Sequence, residues 1–104
     1  LQIIEIMEKT FDSESNDIAL YLAMSKKADE EGHFDIAAYL YDVAMEEASH
    51  AVQFASLLGK VKDTKTNLVN ILAGGMQAEM DKAHAAKVAY AEGNDDASNF
   101  LKNQ

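Results

Sequence analysis

Between residues 34 and 58, apolar side chains recur at alternating spacings of four and three. Ile36, Leu40, Val43, Phe54 and Leu57 keep one register, and Glu47 and His50 fill the two places between Val43 and Phe54. That pattern is the seam of a helix packed against other helices. Residues three apart lie one above the other on a helical face, so both polar groups point the same way as the apolar ones. No proline interrupts this stretch or any other in the 104 residues, and strands have no use for a three–four period. The chain reads as all-α. A carboxylate and an imidazole on an interior face then pose a chemical question. An unpaired buried charge costs several kcal/mol or titrates to neutral, so something inside must compensate it.

Three long helical segments and the start of a fourth are legible. The first spans about residues 1–31 and stops at Gly32; the second spans about 34–58 and stops at Gly59. A polar connector, "KVKDTKTN", offers Asp63 and Thr64 as candidate N-caps. The third helix spans about 67–92 and stops at Gly93. "NDDASNFLKNQ" then opens a fourth, with Asn94 as its cap and Asp95 and Asp96 at the positive end of its dipole. The first helix carries its own seam of Ile4, Met7, Phe11, Glu14, Ile18 and Tyr21. The third carries Val69, Leu72, Met76, Glu79, Ala83, Ala86 and Tyr90. Each full helix thus places a carboxylate on the face expected to be interior. A chain of this length supports one domain, residues 1–104.

A weak internal repeat links the two halves. "SKKADEEGHFDIAAYL" (25–40) matches "AKVAYAEGNDDASNFL" (86–101) at a Lys, an Ala, the Glu-Gly pair, an Asp and the closing Leu, with the second copy trailing by 61 positions. In that register Gly75 stands where Glu14 stands in the first half. The counterparts of Glu47 and His50 fall beyond Gln104.

The formal net charge of −9 argues against nucleic acid or an anionic membrane as partner, since both need a cationic face. It is compatible with cation binding, though most acidic proteins are merely soluble ones. Without cysteine these residues form no disulfide, iron–sulfur cluster or four-cysteine iron site. No stretch approaches the roughly 20 apolar residues of a membrane span. A cytoplasmic location is the expectation.

A glutamate on one helix and Glu-x-x-His on its neighbour is half of a known arrangement. Di-iron and di-manganese bundles take one Glu from each of two helices and a Glu-x-x-His from each of two more. Carboxylates bridge two cations and offset their charge, while each imidazole gives a neutral nitrogen ligand. The stretch "SESNDIALYLAMSKKADEEGHFDIAAYLYDVAMEEASHAVQFASLLG" (13–59) resembles the first two helices of the ferritin-like domain of rubrerythrins. "KTNLVNILAGGMQAEMDKAHAAKVAYAEGNDDASNFL" (65–101) resembles their third helix and the start of the fourth. The likeness is strongest to rubrerythrins with an N-terminal rubredoxin module.

The resemblance implies a ferritin-like bundle of long antiparallel helices, its incomplete fourth helix made good by dimerisation or helix exchange. It implies a di-iron centre, in which zinc or manganese could substitute, that reduces hydrogen peroxide or oxygen with electrons from a rubredoxin-type donor. Glu14 matches the family's first-helix metal ligand, and Glu47 and His50 match its first Glu-x-x-His. Gly75, in "LAGGMQAE", replaces the family's third-helix Glu, and no residues hold the second Glu-x-x-His. Glu79, one turn on, is a candidate compensating ligand; otherwise it is a rim carboxylate or a partner for Lys82. His33 and His84 are expected to be exposed, and Tyr21 and Tyr39 to be core or rim aromatics. Two other functions stay open: an iron-handling ferroxidase half-domain with its metal site on a dimer axis, and a metal-free structural fragment with an inactive site.

Overall fold

A computed structural model describes residues 1–104 and contains four helices and no strand. These are α1 (Gln2–Glu30), α2 (Phe34–Leu57), α3 (Thr64–Ala91) and α4 (Asp95–Lys102). The all-helical architecture expected of a ferritin-like chain is therefore present. The helices form two compact units, residues 1–61 and residues 62–104, each an antiparallel hairpin: α1 on α2, and α3 on α4. No helix is long and apolar enough to cross a membrane.

The glycines end the helices as expected. Gly32, Gly59 and Gly93 sit at φ of +82°, +70° and +78°, a left-handed conformation that other residues adopt only under strain. At the first turn the His33 N–H donates to the Ala28 carbonyl at 2.8 Å and Gly32 N–H to Asp29 at 3.0 Å. At the turn between α3 and α4, Asn94 N–H donates to Ala89 at 2.8 Å and Gly93 N–H to Tyr90 at 3.1 Å. Both are Schellman closures, which satisfy carbonyls that a helix end leaves open. Offset by 61 residues, they are the same turn.

One cross-helix bond also repeats, with its direction reversed. In the first unit Ser25 Oγ donates to the Ala37 carbonyl at 2.7 Å; in the second, Ser98 Oγ donates to the Ala86 carbonyl at 3.0 Å. The same offset maps position 25 onto 86 and 37 onto 98. The hydroxyl has moved from the first helix of the pair to the second, and the bond is kept. The internal repeat is thus a repeat of structure.

The packing of α1 on α2 departs from the expected seam by one residue. Ala37, Ala44 and Ala51, spaced by seven, are buried, and Leu40, Glu47 and Phe54 are half-buried beside them. Ile36, His50 and Leu57, expected inside, are exposed. Alanines allow the closest approach of two helix backbones, so α1 settles over them. The bulkier register turns aside by one residue, about 100° of helical rotation. The α1 seam matches expectation from Met7 to Tyr21, all half-buried, with Ile4 exposed near the start of the helix.

The second unit is thinner. α3 begins at Thr64, three residues earlier than its apolar pattern suggests, because Asp63 caps it: the carboxylate accepts from Thr66 N–H at 3.3 Å and Thr66 Oγ1 at 2.7 Å. α4 covers only the C-terminal part of α3, around Ala86. Val69, Leu72, Met76 and Tyr90, expected to be interior, are all exposed, with Leu72 at 70%. Eight residues of α4 cannot cover a helix of 28.

Candidate metal centre

Glu14 projects from the middle of the α1 seam, half-buried among Phe11, Ile18 and Tyr21. Its Oε2 is buried and has no hydrogen-bond partner, and it is the single side-chain oxygen or nitrogen in the protein in that condition. Buried carboxylate oxygens without a donor are rare, and each asks for an explanation. No cation lies within reach. The one ion pair in the chain joins Lys60 Nζ to Glu8 Oε2 at 3.2 Å, and the same ammonium lies 5.2 Å from the centre of the Phe11 ring.

The hairpin register brings Glu47 level with Glu14. Ser25 and Ala37 touch across the helices; Glu14 lies eleven residues before the first and Glu47 ten after the second. In an antiparallel pair the two carboxylates therefore stand within about one residue rise, some 1.5 Å, of the same level. Glu47 is half-buried like Glu14. His50 lies one turn further along α2 and is exposed, on the side that α1 does not cover. The imidazole expected in the core is thus at its open edge, for the packing reason given above. Within one chain, no three acidic or histidine side chains converge closely enough to hold a metal ion.

Gly75 and Glu79 belong to the other hairpin. They line one open groove of about 630 Å³ with Ala83, Ala86 and Leu101, beside the end of α4. A Cβ built on Gly75 meets nothing within 4 Å, so a side chain fits there. Glu79 is exposed, and although Lys82 lines the same groove the two form no ion pair. His33 and His84 are exposed, as expected. Tyr21 is half-buried on the Glu14 face, and Tyr39 is exposed at 67%. Alanine carries little hydrophobic weight, so the α2 ridge is silent in a pattern of large apolar side chains and shows only in its seven-residue spacing.

Two half-buried carboxylates thus stand at one level, one of them without a donor, with an exposed imidazole a turn away. The Rubrerythrin family model matches residues 5–104. The chain is 38% identical over 91 residues to reverse rubrerythrin-1 of Clostridium acetobutylicum, an alignment covering 83% of this chain and 50% of that protein. It is 37% identical over 96 residues to an uncharacterised protein of Methanocaldococcus jannaschii, covering 91% of this chain and 68% of the relative. The chain thus spans about half the length of the first of these relatives. No solved structure matches it. A family match over nearly its whole length shows that the chain belongs to the rubrerythrin family.

Proposed function

We propose that this chain is a non-haem di-iron carboxylate protein of the rubrerythrin type, reducing hydrogen peroxide with electrons from an external rubredoxin-type donor. The observation that carries the reading is the partnerless buried oxygen of Glu14, level with Glu47 in a chain of this family. A cation is the partner that such an oxygen lacks. Glu14 and Glu47 offset the charge of the metal pair, and His50 gives it a neutral nitrogen. Phe11, Ile18 and Phe54, half-buried like the two carboxylates, would limit the access of water to them. When bound, two ferrous ions supply the two electrons that, with two protons, convert hydrogen peroxide to two waters. Tyr21, two turns from Glu14 on the same face, is placed to relay an electron. These residues contain no cysteine, so a thiolate-held iron donor must come from elsewhere. Zinc or manganese would occupy the same donor set.

The rest of the ligand set lies outside the first hairpin. If the second hairpin closes over the first, Gly75 leaves a gap that Glu79, on the same groove, would have to fill. A second chain is another source. The functional test is peroxide consumption by the chain loaded with ferrous iron under anaerobic conditions. Turnover sustained by a rubredoxin-type donor, and lost in Glu14→Gln, is expected. Consumption no faster than that of free ferrous iron would reject the peroxidase reading.

A further inference from the structure

We infer that Met76, Met80 and His84 of α3 form a binding site for a soft monovalent cation of the copper(I) class. The three residues follow one another at spacings of four, so each stands one turn beyond the last on one helical face. All three are exposed, Met76 at 69% and Met80 at 67%.

Packing against α4 does not account for these side chains. Ala86 marks the side of α3 that α4 covers, and it is buried. At about 100° of rotation per residue, Met80 and His84 stand roughly 120–160° round the helix from it. The groove beside α4 is lined by Gly75, Glu79, Lys82 and Ala83 of α3, and by none of the three. Two thioethers and an imidazole thus share an outward face.

The donors on that face match one kind of cation. Thioether sulfur is soft, polarizable and uncharged, and it suits copper(I); imidazole nitrogen suits copper as well. Zinc takes thiolate, imidazole and carboxylate, of which these three residues offer a single imidazole. Neighbours one turn apart have Cβ atoms about 5–6 Å from each other. Methionine's three rotatable bonds let its sulfur swing onto a cation held beside the imidazole. The pairing is also particular to this place. The chain has no cysteine, and of its three histidines His84 alone has a methionine three or four residues away. Met76 and Met80 are likewise the single pair of methionines at that spacing. Charge assists: Asp81 follows Met80, its carboxylate accepting from the Gln77 amide at 2.9 Å, in a chain of net charge −9.

Silver(I) is the probe, since it shares the charge and ligand preference of copper(I) and needs no reductant. Silver nitrate is titrated into the whole chain in chloride-free buffer, followed by calorimetry and by the methionine methyl NMR signals. The expected result is a single silver ion per chain, with the Met76 and Met80 methyl signals and the His84 ring signals shifting together. Loss of an outer partner of a metal site already costs about tenfold in affinity, so Met80→Leu and His84→Ala, each removing a donor, should cost at least that. His33→Ala should leave the affinity unchanged, because no methionine stands within a turn of His33. Methyl signals unmoved by silver, or an unchanged affinity in Met80→Leu, would overturn the site. Equal weakening by His33→Ala and His84→Ala would overturn it too, since silver would then be binding imidazoles one by one.

Discussion

Ala44 has no exposed surface, and it sets the distance at which α1 and α2 meet. Replacing it by leucine forces three more heavy atoms into a closed contact, so Ala44→Leu should destabilise the fold by about 1–3 kcal/mol. A thermal melt of the metal-free protein measures this; an unchanged midpoint would mean the helices can part without cost. Glu14 behaves in the opposite sense. Its buried oxygen lacks a donor, so Glu14→Met should stabilise the metal-free protein by about 1 kcal/mol while removing a proposed ligand. A stabilised protein that no longer takes up metal is the signature of a residue kept for chemistry. Glu14 and Glu47 were legible as inward-facing residues because their registers hold whichever neighbour is closest. His50 was legible as a ligand candidate but not as an edge residue. Its position depends on a ridge of alanines that a pattern of large apolar side chains does not reveal.

The helix boundaries follow from backbone chemistry that the sequence states openly. Glycines at positive φ end three helices, and asparagine caps the fourth, its Oδ1 accepting from Ala97 N–H at 3.1 Å. Gly32→Ala should cost about 1 kcal/mol through the left-handed backbone alone, since a Cβ there meets no other atom. Ser25→Ala should cost about 1 kcal/mol by leaving the cross-helix contact without its donor. Both read out as lower urea midpoints with unchanged slopes. The start of α3 was harder to read, because its first turn has no apolar stripe. Asp63 decides it, and Asn67 clamps the connector by accepting from the Lys62 N–H at 2.8 Å and donating to the Lys62 carbonyl at 2.9 Å. The hydrogen bond from the Thr66 hydroxyl, and then that from its N–H, hold the Asp63 carboxyl below its ordinary value of 3.8. A group whose folded pKa is depressed stabilises above its unfolded value and ceases to as pH falls through the folded one. The first turn of α3 should therefore fray only below about pH 3.8, and in Asp63→Asn that acid-dependent step should vanish from the amide exchange of Thr66.

At the scale of the molecule, the chain is one helical hairpin written twice, and the two copies are unequal. The first has two helices of similar length and a carboxylate-bearing face; the second has a long helix, a short one and Gly75. The helical class and the repeat were legible because both rest on local periodicity. The extent of α3 left bare was not, because burial depends on what lies opposite, and a seam in the sequence does not say whether its partner is present. We propose that Glu14, Glu47 and His50 are there to hold metal. His50 tests it most directly, since it is exposed, so its loss should cost little structure. Titration of ferrous iron or zinc into the wild type and His50→Ala, with helicity followed by circular dichroism, gives the answer. Affinity reduced by about 10- to 100-fold or more at unchanged helicity is the predicted result. Equal affinity in the two proteins, or a loss of helix that tracks the loss of metal, would contradict it.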